Sequence, residues 1–454
     1  MRRLLPVLLL LVVAVVAGGV RVAISEEAPS TGAHAPGQIL NFLYAAPGTQ
    51  EKSLEWLNAH WQSNFAGMMI ESLRYIRSPA TRRSAADLLE DKTGQANGLD
   101  IDGWYHWLWK QPNNPHPGYT DFKAALYAKI DPRFVPYFEN VSNARIRLDE
   151  VRWGGVRQNG IPPLRQPAML AADDADYLND DNEIFAVDIN GDARAYPKRI
   201  MGHHEMFIDT VGGIEVAGVY CTLCGSMIIY ATDGHSLGTS GFLYRSNKVM
   251  FDEETNSLWS TLLGFPVAGP LVGKDIVLKR YPVVTTTWGE WRKRHSDTSV
   301  LDVNTGFRRN YDEGEAYNAY FATDELMFTI PEQLADNELA NKAEILALRE
   351  GDDTLAIAAD FLSKNRVYHD TLDGENIVVI TDNSGANRVY ASQDVDFANV
   401  RVRGNTVVDD QEQNWSVSED FLTGPDGQKL MRLPAHRAFW FGWKAAVNDT
   451  RLVH

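Results

Sequence analysis

Cysteine is the scarcest chemistry in this chain, with two residues in 454, Cys221 and Cys224, three positions apart. So small a supply excludes the disulfide framework that staples small secreted domains. Long apolar stretches are equally scarce. One run, Leu4 to Val20, follows Met1-Arg2-Arg3, and nothing after it approaches the ~20 residues of a spanning helix. Basic charge is in the minority, 43 Lys and Arg against 60 Asp and Glu for a net charge of −17. That balance argues against nucleic acid as a partner. A phosphate loop and a dinucleotide fingerprint are missing too, and His204-Glu205-Met206-Phe207-Ile208 lacks the second histidine of a zinc-protease helix.

What is present reads as a globular protein. Apolar residues make up 44% and charged residues 23%, which excludes a mostly disordered chain, and the length suggests two to four structural units. The basic-then-apolar start reads as a signal peptide cut near Ala17-Gly18-Gly19, or as an uncleaved anchor, over residues 1–24. Either places the protein outside the cytoplasm, periplasmic or secreted, with membrane contact only through that segment. The stretch Glu26 to Gln38, rich in Pro, Gly and Ala, reads as a tether within a linker over 25–50.

Residues 51–150 read as helical. Leu54, Leu57, Trp61, Phe65, Met68 and Met69 recur at helical spacing, and Ser84 to Asp91 and Asp121 to Ala128 suggest two further helices. The aromatic cluster Trp104, Tyr105, Trp107 and Trp109 is expected to be a core contact, with a ligand-stacking platform as the sharper alternative. From about residue 183 the texture changes to short β-type runs, with Asn190-Gly191 and Gly212-Gly213 as turn signals.

The chain also repeats itself. A shift of 161 residues lays Glu183–Gly213 on Glu344–Gly374 without a gap, matching Asp192 with Asp353, Asp209 with Asp370 and Thr210 with Thr371. Two copies are a duplication rather than a solenoid. The expected fold is therefore α+β: a helical N-terminal region packed on a duplicated, mostly antiparallel β unit, the first copy over 151–300 and the second over 301–454. The second copy carries Asp382 and Gly385 where the first has Cys221 and Cys224, and Lys364, Asn365 and Arg366 where it has His203, His204 and Glu205. Any site built on soft ligands belongs to the first copy.

Three chemistries compete for Cys221-Thr222-Leu223-Cys224-Gly225. A thioredoxin-type redox pair wants the first cysteine at a helix N-terminus, whereas Met227 to Tyr230 reads as a strand. A structural disulfide would close a very short loop and constrain the unfolded chain little. A metal knuckle lets both thiolates point at one centre, with further ligands supplied from elsewhere. His204 and Glu205 stand one strand-pair upstream, and adjacent residues of a strand face opposite ways, so one of His203 and His204 is expected to join. His235 is a weaker candidate. Ser240 to Asn247 reads as a well-bonded turn or the polar wall of a pocket.

These residues lie in motifs that resemble the family catalogued as domain of unknown function 3179. The resemblance is carried by Trp153-Gly154-Gly155-Val156, Asn159-Gly160-Ile161-Pro162-Pro163-Leu164, His204-Glu205 and Tyr220-Cys221-Thr222-Leu223-Cys224-Gly225-Ser226. It continues through Ser246-Asn247-Lys248-Val249-Met250, Ser257-Leu258-Trp259-Ser260 and Ala438-Phe439-Trp440-Phe441-Gly442-Trp443, and spans roughly residues 85–454. The family implies no established activity. Its pattern has proline where Thr222 stands and an apolar or aromatic residue where His203 stands, which points to His204 as the motif's histidine.

The leading expectation is an extracytoplasmic metal-binding protein, with copper or zinc held by Cys221, Cys224 and His204, and Glu205 as ligand or as the partner that orients His204. A metal-free thiol–disulfide redox protein and a β-rich binding module with an inert disulfide are the alternatives.

Overall fold

The structure is a computed structural model that describes residues 34–454 apart from 394, 396, 398–400, 404 and 410. The leader expected over 1–24, and the start of the expected linker, lie outside the described residues. From residue 35 the linker expectation gives way to two helices, α1 (Ala35–Tyr44) and α2 (Pro47–Ala59). Ile39, Phe42 and Leu43 recur at helical spacing and are buried in the core of the helices that follow. The prolines that suggested a tether sit in the first turn of each helix, where a missing N–H breaks no bond.

Four more helices complete this layer: α3 (Ala66–Leu73), α4 (Pro79–Thr93), α5 (Ile101–Lys110) and α6 (Tyr119–Ala128). The periodic run from Leu54 to Met69 is thus two helices with a break between Ala59 and Ala66. On α5, Trp104, Tyr105 and Trp109 are buried in the helical core, so the aromatic cluster is packing. The same core takes in Val151, Phe242, Val249 and Phe251 from the β region, which joins the layers. A buried ion pair helps fix that join: Lys123 Nζ reaches Glu71 at 2.6 Å and donates to the Val151 carbonyl at 2.9 Å.

The β region is built twice. The first unit runs β1 (Glu183–Ile189), β2 (Asp192–Pro197), α7 (Lys198–His204), β3 (Met206–Val211), β4 (Ile214–Cys221) and β5 (Ser226–Ala231). An inserted hairpin follows, β6 (Leu237–Tyr244) and β7 (Asn247–Asp252), and the unit closes with β8 (Val284–Thr287), α8 (Trp288–Arg294) and β9 (Ser299–Leu301). The second unit repeats the order as β10 (Glu344–Glu350), β11 (Asp353–Ala358), α9 (Ala359–Lys364), β12 (Val367–Leu372), β13 (Glu375–Thr381) and β14 (Asn387–Ala391). It closes with β15 (Ala435–Phe439), α10 (Trp440–Ala446) and β16 (Arg451–Val453).

Pairing repeats with the order. β1 and β2 form an antiparallel hairpin with Ala186 opposite Ala195, and β10 and β11 do the same with Ala347 opposite Ala356. The last strand of each unit joins its sheet in parallel, Val300 beside Ala195 and Leu452 beside Ala356. The fold is α+β with a duplicated, mostly antiparallel β unit. Asn190 and Gly191 both have positive φ, 53° and 82°, the geometry a two-residue hairpin needs and other residues resist.

Strand β4 shows how alternation positions the site. Val216 and Tyr220 point into the first unit's own core with Phe185, Val187 and Tyr196. Ala217 and Val219 point the other way, into a core shared with Ile345, Ala347, Trp440 and Trp443 of the second unit. With both faces buried, a slip of one residue would exchange the two sets, so the register is strongly specified. That register ends at Cys221.

Candidate functional site

Cys221 closes β4 and Ser226 opens β5 directly opposite it, so the four residues between make a tight turn. Its backbone bonds are local: Cys224 N–H donates to the Cys221 carbonyl at 3.1 Å, and Gly225 has φ +59°. The turn brings the two sulfurs to 3.0 Å, and both are free thiols. A strand, not a helix, follows the pair, so neither cysteine opens a helix. Both cysteines are essentially inaccessible, 1% and 0% exposed.

Three elements surround the pair. Asn247, at the start of β7, accepts the Cys224 thiol on Oδ1 at 2.9 Å. Its amide nitrogen donates to the Gly442 carbonyl on α10 at 3.0 Å, which fixes the oxygen toward the sulfur. Gly442 has to be small, because an added Cβ would lie 3.0 Å from the Cys224 Cβ. Next along β7, the Lys248 backbone N–H approaches Cys221 Sγ at 3.5 Å.

The third element is Glu205, the residue that ends α7. It is held at φ +56°, an uncommon conformation for a residue with a side chain and one that costs energy. Its Oε1 accepts from Thr222 at 2.6 Å and from the Tyr317 hydroxyl at 3.3 Å, and its Oε2 lies 3.4 Å from Lys248 Nζ. Lys248 Nζ also donates to the Glu205 carbonyl at 2.6 Å. A carboxylate and an ammonium are therefore fixed beside the first thiol, both almost fully buried.

The two thiols sit in unequal environments. Burial opposes the thiolate at Cys221, but the hydrogen bond shared with Cys224 and the Lys248 N–H outweigh it and hold this thiol below its ordinary range. Burial and the neighbouring Cys221 together push Cys224 well above its own. Burial also lowers Lys248, an effect Glu205 offsets only in part. The inequality is visible in shape as well. A cavity of about 60 Å³ is lined by Glu205, Cys221, Thr222, Lys248 and Tyr317 together with Phe242, Leu243, Met327 and Phe328, and Cys224 is not among its walls.

Of the four residues expected to ligate metal, the structure brings Cys221 and Cys224 together and places Glu205 beside them. His204 faces elsewhere. It ends a helix, where a strand was expected, and its ring nitrogens meet the Pro162 carbonyl at 2.9 Å and the Tyr311 hydroxyl. Burial lowers its pKa. His203 packs against Tyr311 and His235 against Trp259. Among the described residues no three or more His, Cys, Asp or Glu side chains are grouped to hold a metal ion.

Sequence reasoning gave no site role to Asn247, Lys248, Tyr317, Tyr320 or Gly442. Asn247 was visible as the end of the stretch Ser240 to Asn247, a well-bonded turn or the polar wall of a pocket, and Lys248 only as its neighbour in a family motif. The tyrosines come from the segment joining the two units, where Tyr320 donates its hydroxyl to the Leu223 carbonyl at 2.9 Å.

The family model described as protein of unknown function (DUF3179) matches residues 158–450, more than half of the chain. The chain belongs to this family. The match takes in the first β unit, the second up to its last strand and every residue named around the thiol pair, and leaves out the helical layer before residue 158. No curated protein and no solved structure matches the chain.

Proposed function

We propose that the protein is a thiol–disulfide redox protein in which Cys221 reacts first and Cys224 resolves. The observation that carries this reading is the pairing of two free thiols at 3.0 Å with only Cys221 on a cavity wall. The unequal pKa directions support the same order, since the thiolate is the attacking form. In the first step the Cys221 thiolate attacks an oxidant. In the second, Cys224 attacks the Cys221 sulfur and the intramolecular disulfide forms. The hydrogen bond that Cys224 donates to Asn247 holds it in place for that second step. An extracytoplasmic compartment belongs to this proposal, supported by the basic and apolar start of the chain.

Equilibration in graded mixtures of reduced and oxidised dithiothreitol, followed by acid quench and alkylation, tests the proposal. A single two-electron transition between no and two modified cysteines, absent in Cys221→Ser and Cys224→Ser, is expected. Two free thiols at every potential would defeat it.

A second reading, metal binding, is supported by the closeness of the same two sulfurs. Soft thiolates favour copper(I), which two sulfurs can hold, whereas zinc takes four ligands and would need more than Cys221 and Cys224 supply. In the fuller form of this reading His204 and Glu205 complete the site, which would require His204 to leave Pro162 and Tyr311. Anaerobic copper(I) competition with a chromogenic chelator tests it, with one ion per chain lost in Cys224→Ser as its expected result.

A further inference from the structure

The redox reading leaves open what meets Cys221, and the cavity narrows the answer. A partner protein's cysteine must bring its sulfur in line with the attacking one, and that requires an exposed thiol. Cys221 is 1% exposed and Cys224 fully buried. Among the described residues Cys221 lines this cavity, and about 60 Å³ is room for a few waters, at roughly 10–15 Å³ for each. Drug-sized ligands need pockets several times larger.

The lining adds chemistry to size. Apolar side chains make up much of the lining, with Val156, Ile161, Phe242, Leu243 and Phe328, and Met327 among them is 55% exposed. The same lining carries the Cys221 sulfur, the Lys248 ammonium and the Tyr317 hydroxyl, with the Glu205 carboxylate as partner of the last two. A substrate for this site is therefore small enough for a largely apolar cavity, is attacked by sulfur, and leaves behind a charge that an ammonium and a hydroxyl can stabilise. A larger disulfide satisfies the last two conditions and fails the first.

We infer that the oxidant of the Cys221–Cys224 pair is a small hydroperoxide, hydrogen peroxide being the simplest, which enters through this cavity. The inference rests on the redox reading of the pair. The Cys221 thiolate attacks one peroxide oxygen, the O–O bond breaks, and the leaving hydroxide takes up the proton given off when the thiolate formed. Cys221 is then a sulfenic acid. Cys224 attacks its sulfur, the S–S bond forms, the S–O bond breaks, and the hydroxyl leaves with the Cys224 proton as water. Two electrons pass from the dithiol to the peroxide, two waters are released, and an external thiol reductant restores the pair. Lys248 lines the same cavity as Cys221 and is the cation available to the leaving hydroxide, and the apolar side chains around them keep bulk water from weakening that interaction.

Stopped-flow oxidation of the reduced protein compares hydrogen peroxide with glutathione disulfide at equal concentration, read by alkylation of quenched samples. Hydrogen peroxide at least about tenfold faster is the expected result, with a dimedone-trapped sulfenic acid on Cys221 in Cys224→Ser. The exposed lining residue Met327 supplies variants that spare the core. Met327→Trp is expected to slow peroxide by at least about fivefold, and Met327→Ala to speed glutathione disulfide. Glutathione disulfide as fast as peroxide in the unmodified protein would overturn the inference while leaving the redox reading standing. So would a pair that equilibrates with dithiothreitol but ignores peroxide. A pair that no oxidant converts to a disulfide would overturn both.

Discussion

Cys221 of the first unit and Asp382 of the second hold the same place in the duplicated fold, and each accepts the same turn bond, from Cys224 N–H and from Gly385 N–H, at 3.1 Å. The backbone is shared and the chemistry is not. At the second turn, Asp382 meets Arg388 at 2.8 Å and Arg388 meets Glu419 at 2.7 Å, all three buried. One copy of the turn holds a dithiol with Cys221 on a cavity wall; the other holds a buried ion network.

That contrast predicts separable effects. Removing one partner of a buried ion pair leaves the other charge without compensation, so Asp382→Ala is expected to lower stability by about 3–5 kcal/mol. The variant's dithiol titration is expected to be unchanged wherever it remains folded. Urea unfolding beside the redox titration checks both, and a redox shift without loss of stability would contradict the assignment.

Gly225 makes the turn possible. Its φ of +59° is costly for other residues, and an added Cβ would lie 3.0 Å from the Phe439 ring. Strain of this kind amounts to about 1–2 kcal/mol, before any cost of the contact with Phe439. Gly225→Ala is expected to show that loss in chemical denaturation, together with slower disulfide closure as the turn shifts.

Charges beside Cys221 act in opposite directions, and two variants separate them. The Lys248 ammonium favours the Cys221 thiolate and the Glu205 carboxylate opposes it, both behind the larger contributions of burial and hydrogen bonding. The pH midpoint for iodoacetamide reaction at Cys221 is expected to rise in Lys248→Met and to fall in Glu205→Gln. The Lys248 backbone N–H survives either change, so shifts well under those of a lost hydrogen bond are expected. Midpoints moving the same way in both variants would contradict the electrostatic account.

His436 supplies a pH dependence away from the site. Burial, with Arg280 and Arg349 nearby, lowers its pKa to about 3 in the folded protein. Unfolded, a histidine titrates near 6.5, so between these values the unfolded chain binds a proton that the folded one does not. Its contribution to stability is therefore constant above about pH 6.5 and is lost as pH falls toward 3. His436→Phe is expected to flatten the decline in melting temperature between pH 6.5 and 4, and an unchanged slope would contradict the burial argument.

How much of this was legible in the sequence depended on whether the signal was local. The hairpins could be read because Asn190-Gly191 and Gly212-Gly213 mark turns between alternating runs. The duplication could be read because one shift aligns whole strands. The helical end of α7 was missed, since seven residues from Lys198 to His204 carry too little periodicity to separate a helix from a strand. Turning as a helix sends His204 to Pro162 rather than to the thiols. Asn247 and Lys248 escaped assignment because an inserted hairpin delivers them, and their link to Cys221 exists only in three dimensions. The helix at 35–44 was hidden by the proline at its first turn, and the one at 47–59 was read only from residue 51 onward.

The central claim is that Cys221 and Cys224 cycle as one redox pair with Cys221 in front. Mass spectrometry of the purified protein, taken before and after one equivalent of hydrogen peroxide and again after a thiol reductant, tests it most directly. The account predicts loss of two hydrogens located to a peptide joining Cys221 and Cys224, full recovery on reduction, and an oxidised Cys221 with an intact Cys224 thiol when the reaction is caught early. Oxidation that begins at Cys224, or thiols that stay reduced under peroxide and under oxidised dithiothreitol alike, would contradict it.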